Sequence, residues 1–166
     1  MKTTNARNAL GLLRVYETIM RELKATGVLR SNNNPVADFA EFLFAETFGW
    51  KLAAKSTKGH DALDSAKKRF EIKARRLSNE NGSRQLSAIR DLKGHHFDVL
   101  AAVLFSDNFL VIRAALIPWE VVVSKSDHVA STNSARIILR DEIWDIAGVE
   151  DVTARLQGML TDPTAI

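Results

Sequence analysis

The sequence predicts a mixed α/β (α+β) fold, a central mixed β-sheet flanked by helices. Three observations carry this expectation. Two nearly continuous apolar runs, 97–105 and 109–117, are separated by the turn signal Asp107-Asn108 and read as a central antiparallel hairpin. Apolar residues recur at steps of three and four, the helical period, over residues 5–25 and 36–48. Between helices and apolar runs, residues 60–74 suit a second hairpin.

Taken in order, residues 5–25 place Ala9, Leu12, Leu13, Tyr16, Ile19, Met20 and Leu23 on one helical face. Thr4 or Asn5 is expected to cap this helix, Gly27 lies just past its end, and its role is assigned to packing. The Ser-Asn-Asn-Asn-Pro segment at 31–35 is a loop. A second helix over 36–48 stops at Gly49, buries Phe39, Ala40, Leu43, Phe44 and Phe48, and carries Glu41 and Glu46. Residues 50–54 are expected as a short edge strand and 55–59 as a connecting loop. The hairpin follows, with arms 60–64 and 69–74 about a turn at 65–68. Residues 78–82 form a polar loop, and 84–92 a short helix or irregular segment before Gly94. After the central hairpin, Pro118 is expected to open a helical turn through 123. Residues 124–134 then read as loop, 135–139 as a strand, and 141–146 and 149–160 as helices, with a frayed tail from 161.

With 166 residues, 46% of them hydrophobic, the chain fits one domain around a single core. Its parts are an N-terminal helix (1–27), a core (36–117) and a C-terminal strand with helices (118–166). The absence of cysteine excludes disulfides and thiolate zinc sites and suits a reducing compartment. The polar start, 1–8, predicts no signal peptide, and no apolar run is long enough to span a bilayer. A soluble, cytoplasmic protein is expected. Net charge is only +3, but between residues 67 and 93 nine basic residues face three acidic ones, Glu71, Glu80 and Asp91. Such a concentration suits a phosphate backbone, although a charge run alone is usually a solvated face.

The chemistry concentrates on the hairpin 60–74. Side chains at i and i+2 of a strand share a face, so Glu71 and Lys73 project together while Ile72 points into a core. Asp61 and Asp64 compete as the second carboxylate. A turn at 65–68 places Asp61 across from residues 71–72 and Asp64 beside the turn, which favours Asp61. Two carboxylates and a lysine are the minimum equipment for holding Mg²⁺ against a phosphodiester. Mg²⁺ takes oxygen ligands, keeps several waters, and is commonly held by one or two carboxylates plus substrate phosphate. The backbone carbonyl of Ile72 is placed to add a ligand. Lys73 can orient the attacking water or stabilise charge that develops in the transition state. Glu-x-Lys on its own is more often an exposed salt-bridge set.

The flanking pattern changes that balance. Residues 36–73 resemble the PD-(D/E)xK nuclease superfamily, which includes many restriction endonucleases. The matching features are a helix bearing a glutamate (Ala37-Asp38-Phe39-Ala40-Glu41), Gly59-His60-Asp61, and the strand Arg69-Phe70-Glu71-Ile72-Lys73. The apolar strand 97–104 then matches the next core strand, so the likeness of pattern runs over 36–117. This resemblance implies a restriction endonuclease-like fold, a mixed sheet flanked by helices on both sides, and Mg²⁺-dependent hydrolysis of DNA, with Mn²⁺ able to substitute. It assigns Asp61 and Glu71, with the Ile72 carbonyl, to the metal and makes Lys73 the catalytic lysine. Glu41 becomes the helix glutamate that approaches the metal directly or through water. His60 stands where the motif's name has proline, a position that varies widely in the superfamily. A non-catalytic nucleic-acid-binding protein on the same fold is the alternative.

Arg75, Arg76 and Arg84, with Lys67 and Lys68, are expected phosphate contacts. Strand alternation sends Arg75 to the face of Lys73 and Arg76 to the opposite one. Gln85 lies where some members carry a glutamine near the site, or is a surface or capping residue. DNA and RNA are not distinguished. One site per chain makes a homodimer the simplest way to cut both strands, but no surface for it follows from the sequence. His95-His96 is expected to pack or cap before the buried strand, with Asp98 as partner, and no zinc site is expected. His128 is expected in solvent, and Trp50, Trp119 and Trp144 in the core or at its rim.

Overall fold

The structure is a computed structural model that describes residues 2–55, 57 and 59–161, with side chains from residue 7 onward. Part of the expected 55–59 loop (Ser56 and Lys58) and the tail beyond 161 lie outside the described residues. In chain order the elements are α1 (Lys2–Ala25), α2 (Pro35–Phe48), β1 (Lys51–Leu52), β2 (Ala62–Leu63), β3 (Arg69–Arg76) and β4 (Ile89–Arg90). Then come β5 (Val99–Phe105), β6 (Val111–Pro118), α3 (Trp119–Lys125), β7 (Asp127–Val129), β8 (Ser134–Arg136), β9 (Glu150–Asp151) and α4 (Thr153–Thr161).

Six strands form the main sheet in the order β1-β2-β3-β5-β6-β9. Only β3 and β5 run parallel; the other pairs are antiparallel, so the sheet is mixed. Both expected hairpins are present, β2–β3 and β5–β6, and β1 is the expected edge strand. A parallel neighbour needs a crossover, and residues 77–98 supply it.

The continuous apolar run of β5 has a simple cause: both of its faces are buried. Ala101, Val103 and Phe105 pack with Phe70 and Ile72 of β3, with Ala40, Leu43 and Phe44 of α2, and with Leu156 of α4. Trp50 stacks on Phe70 at 3.7 Å between ring centroids and closes that layer. Leu100, Ala102 and Leu104 face the other way, onto Leu86, Ile89, Ala135, Ile137, Leu139 and Val122. The α2 helix is set by its ends. Asn34 accepts the Val36 N–H at 3.2 Å, Pro35 opens the first turn, and Gly49 closes the helix at φ 68°, a left-handed conformation suited to glycine.

Helices do not flank the sheet equally. α2 and α4 cover one face, but a second, three-stranded sheet (β4-β8-β7) and the short α3 cover the other. Of the two forms expected for residues 84–92, the irregular one is found: Gln85 is bridged to Ile138 and Ile89 paired with Ala135, before a turn at Asp91 and a 3-10 turn at Leu92–Gly94. Residues 124–134 hold β7 rather than loop alone, Asp141–Asp145 form a 3-10 turn where an α-helix over 141–146 was expected, and β9 precedes α4. Pro118 ends β6 and caps α3 from outside. Strands of two or three residues show too little alternation to be read as a period, which is why these segments lacked a signal.

The first helix departs furthest from its expected packing role. Every residue from Arg7 to Ile19 is exposed, and Met20 is the first side chain to be buried. The helix already runs from Lys2, so Thr4 and Asn5 lie within it rather than capping it. Among the described residues no helix is long and apolar enough to cross a membrane.

Arg69 and Asp98 latch the start of β3 to the start of β5. The Arg69 N–H donates to the Asp98 carboxylate at 2.8 Å, its guanidinium donates twice more at 3.2 and 2.7 Å, and the Asp98 N–H returns a bond to the Arg69 carbonyl at 2.9 Å. The guanidinium bonds hold the Asp98 carboxyl down at about 2. A double-mutant cycle over Arg69→Ala and Asp98→Ala is expected to show a coupling of about 1–2 kcal/mol in urea unfolding. Strictly additive effects would show that the guanidinium–carboxylate pair contributes nothing to the latch.

Candidate active site

The hairpin register decides which aspartate meets β3. The Asp61 N–H donates to the Phe70 carbonyl at 2.8 Å, and the Ile72 N–H donates to Asp61 Oδ2 at 2.7 Å. Asp61 is thus fixed beside the centre of β3. Asp64 instead accepts the N–H groups of Ala66 and Lys68, both at 2.9 Å, and shapes the turn. Its carboxylate is used by the loop.

Glu71 and Lys73 share the face of β3 that carries Leu100 and Ala102 on the neighbouring strand. Their side chains meet, Lys73 Nζ to Glu71 Oε1 at 2.7 Å, and are largely covered, with 20% and 15% side-chain exposure. Burial pushes the Glu71 carboxyl above the usual range; Lys73 opposes this, while Asp61 and Glu41 add to it. The three carboxylates therefore feel one another.

Glu41 comes from the α2 layer and is 8% exposed. Lys55 Nζ contacts both its oxygens, at 3.1 and 3.0 Å, and Arg30 reaches it at 3.1 Å. Burial still drives the Glu41 carboxyl up, against Lys55 and with repulsion from Asp61. Behind it Asp38 accepts Lys55 Nζ at 2.6 Å, the N–H groups of Arg30 and Ser31 at 2.9 and 2.8 Å, and the Ser31 hydroxyl at 2.8 Å. The Arg30 guanidinium also donates to the Ala53 carbonyl. This Arg30–Ser31–Asp38–Glu41–Lys55 cluster was not foreseen, because its members lie as much as 25 residues apart and carry no local pattern.

Asp61, Glu71 and Lys73 line one cleft of about 570 Å³, whose other walls include Arg90, Asp91, His96, Phe97, His60 and Gly59. His96 Nε2 bonds Asp91 Oδ2 at 2.8 Å, which holds the Asp91 carboxyl below its usual value. Two glycines make room for this ring: a Cβ at Gly59 or at Gly94 would overlap the His96 side chain. Asp91 and His95 both take left-handed backbone, at φ 48° and 50°, a costly choice for these residues. His95 meets its expected partner Asp98 only at 3.8 Å and stacks on Trp119, whereas His96 turns to the cleft.

The basic residues proposed for phosphate are dispersed. Arg75 donates to the Ser83 carbonyl at 3.2 Å, Arg76 lies over the Phe109 ring at 5.0 Å, and Arg84 pairs with Asp141 at 2.7 Å. Lys67 and Lys68 sit exposed at the hairpin turn, and the Gln85 backbone is bridged to Ile138. The structure brings none of these six to the cleft wall, where the arginine is Arg90. His128 is exposed on β7. Among the described residues no three His, Asp or Glu side chains converge as a ready-made metal cage, because Glu71 is turned to Lys73 and Glu41 to Lys55 and Arg30. Compared with family models and with curated proteins, the chain matches none.

The raised Glu71 carboxyl has a sign that can be measured. Its folded value lies above the unfolded one, so its ionisation opposes folding as pH rises through that interval. In metal-free buffer, Glu71→Gln is expected to flatten the fall of the unfolding midpoint as pH rises above the ordinary glutamate value. The same slope in both proteins would remove Glu71 as its source.

Proposed function

We propose that the chain is a divalent-cation-dependent endonuclease that hydrolyses phosphodiester bonds in DNA on a restriction endonuclease-like fold. The observation that carries this reading is the convergence of Asp61, Glu71 and Lys73 on one cleft, with a Glu71 carboxyl that burial, aided by Asp61, makes reluctant to ionise. The donor set is all oxygen and its mutual repulsion is what a hard cation relieves, so Mg²⁺ or Mn²⁺ fits these residues. Asp61 and Glu71, with the Ile72 carbonyl, would hold the ion, and Glu41 would support it directly or through water. Such an ion, when bound, supplies Lewis-acid polarisation of the phosphate and a more acidic water.

The chain's own groups do the remaining work. The Ile72 N–H fixes Asp61, so one carboxylate is oriented before substrate arrives. Lys73 Nζ is a donor for the attacking water or for charge that grows on the phosphoryl oxygens. Arg90 and His96 stand on further walls of the same cleft, where a phosphate would meet them. Lys67 and Lys68, exposed at the turn and away from the cleft wall, would meet flanking backbone rather than the scissile bond.

A second reading, a binding module without catalysis, draws on the lysine and arginine contacts that occupy Glu71 and Glu41. Supercoiled plasmid incubated with Mg²⁺, with Mn²⁺ and with a chelator separates the two, and an RNA arm tests the choice of DNA. Nicking or linearisation that needs the ion supports the nuclease. Retention of DNA in a mobility shift with no cleavage under either ion would pass the assignment to the binding module.

A further inference from the structure

We propose that α1 is a dimerisation element that pairs antiparallel with α1 of a second copy of this chain, about a two-fold axis near Tyr16. The helix spans Lys2–Ala25, so it is about 36 Å long. Among the described residues, every one from Arg7 to Ile19 is exposed. An uncovered helix of this kind is marginal in water, since most helical stability comes from packing of the apolar face. The face is well formed. Ala9, Leu12, Leu13, Tyr16, Ile19, Met20 and Leu23 follow steps of three and four, while Arg7, Arg14 and Arg21 fall on the opposite side at 100° per residue.

The order of residues along the stripe points to the occupant. Reversing the helix about Tyr16 places the exposed Leu13 on Ile19, and sets Leu12 and Ala9 toward Met20 and Leu23, which the protomer's own body buries and half-buries, so the order stays apolar against apolar. An isologous interface between two copies requires such self-complementarity, and a different partner does not. The exposed area is also of the right size. Leu12, Leu13, Val15, Tyr16 and Ile19 are 72, 60, 57, 47 and 50% exposed, which presents on the order of 500 Å² per copy and on the order of 1,000 Å² for a pair, near the lower bound for a specific interface. Antiparallel pairing would also lay the first turns of one helix toward the base of its partner. There Leu23, Val28, Leu29, Phe39 and Phe109 line an apolar groove. The inference rests on α1 alone and stands whether or not the cleft cuts DNA.

Sedimentation equilibrium of the full chain at about 20 µM is expected to give twice 18.4 kDa. Leu12→Glu with Ile19→Glu is expected to give a monomer whose body unfolds at the wild-type midpoint. The chain has no cysteine, so introduced thiols report the axis without background. Tyr16→Cys is expected to oxidise to a linked dimer, whereas Ala9→Cys links only when Leu23→Cys is also present. A wild-type chain that stays monomeric, or an Ala9→Cys variant that links to itself in preference to Tyr16→Cys, would overturn the proposal.

Discussion

Lys73→Ala is expected to lower the rate of Mg²⁺-dependent DNA cleavage by about 10²- to 10³-fold, the usual loss when a preorganised donor to a developing charge is removed. Affinity for DNA, measured with Ca²⁺ or without metal, should change little, because a single cation contributes one phosphate contact at most. The structure adds a control on this result. Lys73 is the ion-pair partner of Glu71 at 2.7 Å, and its attraction opposes a carboxyl that burial drives up. Without it Glu71 loses its competing cation, so ion binding by the variant should be at least as tight as in the wild type. Titration calorimetry with Mn²⁺ reads this directly. A slow variant that still binds ion and DNA places Lys73 in the chemical step, while unchanged cleavage would remove it from the mechanism.

The second large effect is on stability. Asp38→Ala is expected to cost about 3 kcal/mol, because it leaves two backbone N–H groups and a hydroxyl without their acceptor and takes from Lys55 one of its two carboxylates. Asp38 is 3% exposed and lies in the first turn of α2, where a negative charge also suits the helix dipole. Burial pushes its carboxyl up, but the bonds from Lys55, from the Arg30 N–H and from Ser31 outweigh burial and hold it below the usual range. A lowered folded value means that its contribution is present above the unfolded value and is lost as pH falls through the folded one. The difference in urea midpoint between wild type and Asp38→Asn should therefore shrink as the buffer is taken from neutral to a pH of about 3. A constant difference would assign the loss to shape rather than to charge.

The two hairpins and α2 were legible because each carries a local signal. Asp107-Asn108 sits in the short connection between two apolar runs, and Asn34-Pro35 with Gly49 brackets a helical period. The relation of Asp61 to Ile72 followed from the position of the turn. The small sheet β4-β8-β7 was not legible, since its strands are two or three residues long and β4 finds β8 only across a long stretch of chain, Ile89 opposite Ala135. Arg30 and Lys55 gave no sign of their roles for a similar reason: ion pairs across loops leave no spacing to read. His96 looked like a capping residue because its place in the cleft depends on Gly59, on another segment of chain. For α1 the period correctly announced an apolar face. A period cannot say what covers it.

The parallel pairing of β3 with β5 has a consequence for the time at which the site exists. β2 and β3 can meet as a local hairpin, but the second edge of β3 is filled only when the chain has been made through Phe105. The Arg69–Asp98 latch closes in the same event. Non-local pairing of this kind forms late, because chain entropy is spent before any contact repays it. On the proposed reading, a nascent chain holding Asp61, Glu71 and Lys73 but ending before β5 has the parts of a nuclease without their arrangement. Catalytic competence would then arrive with the completed sheet, and an unfinished polypeptide could not cut the nucleic acid around it.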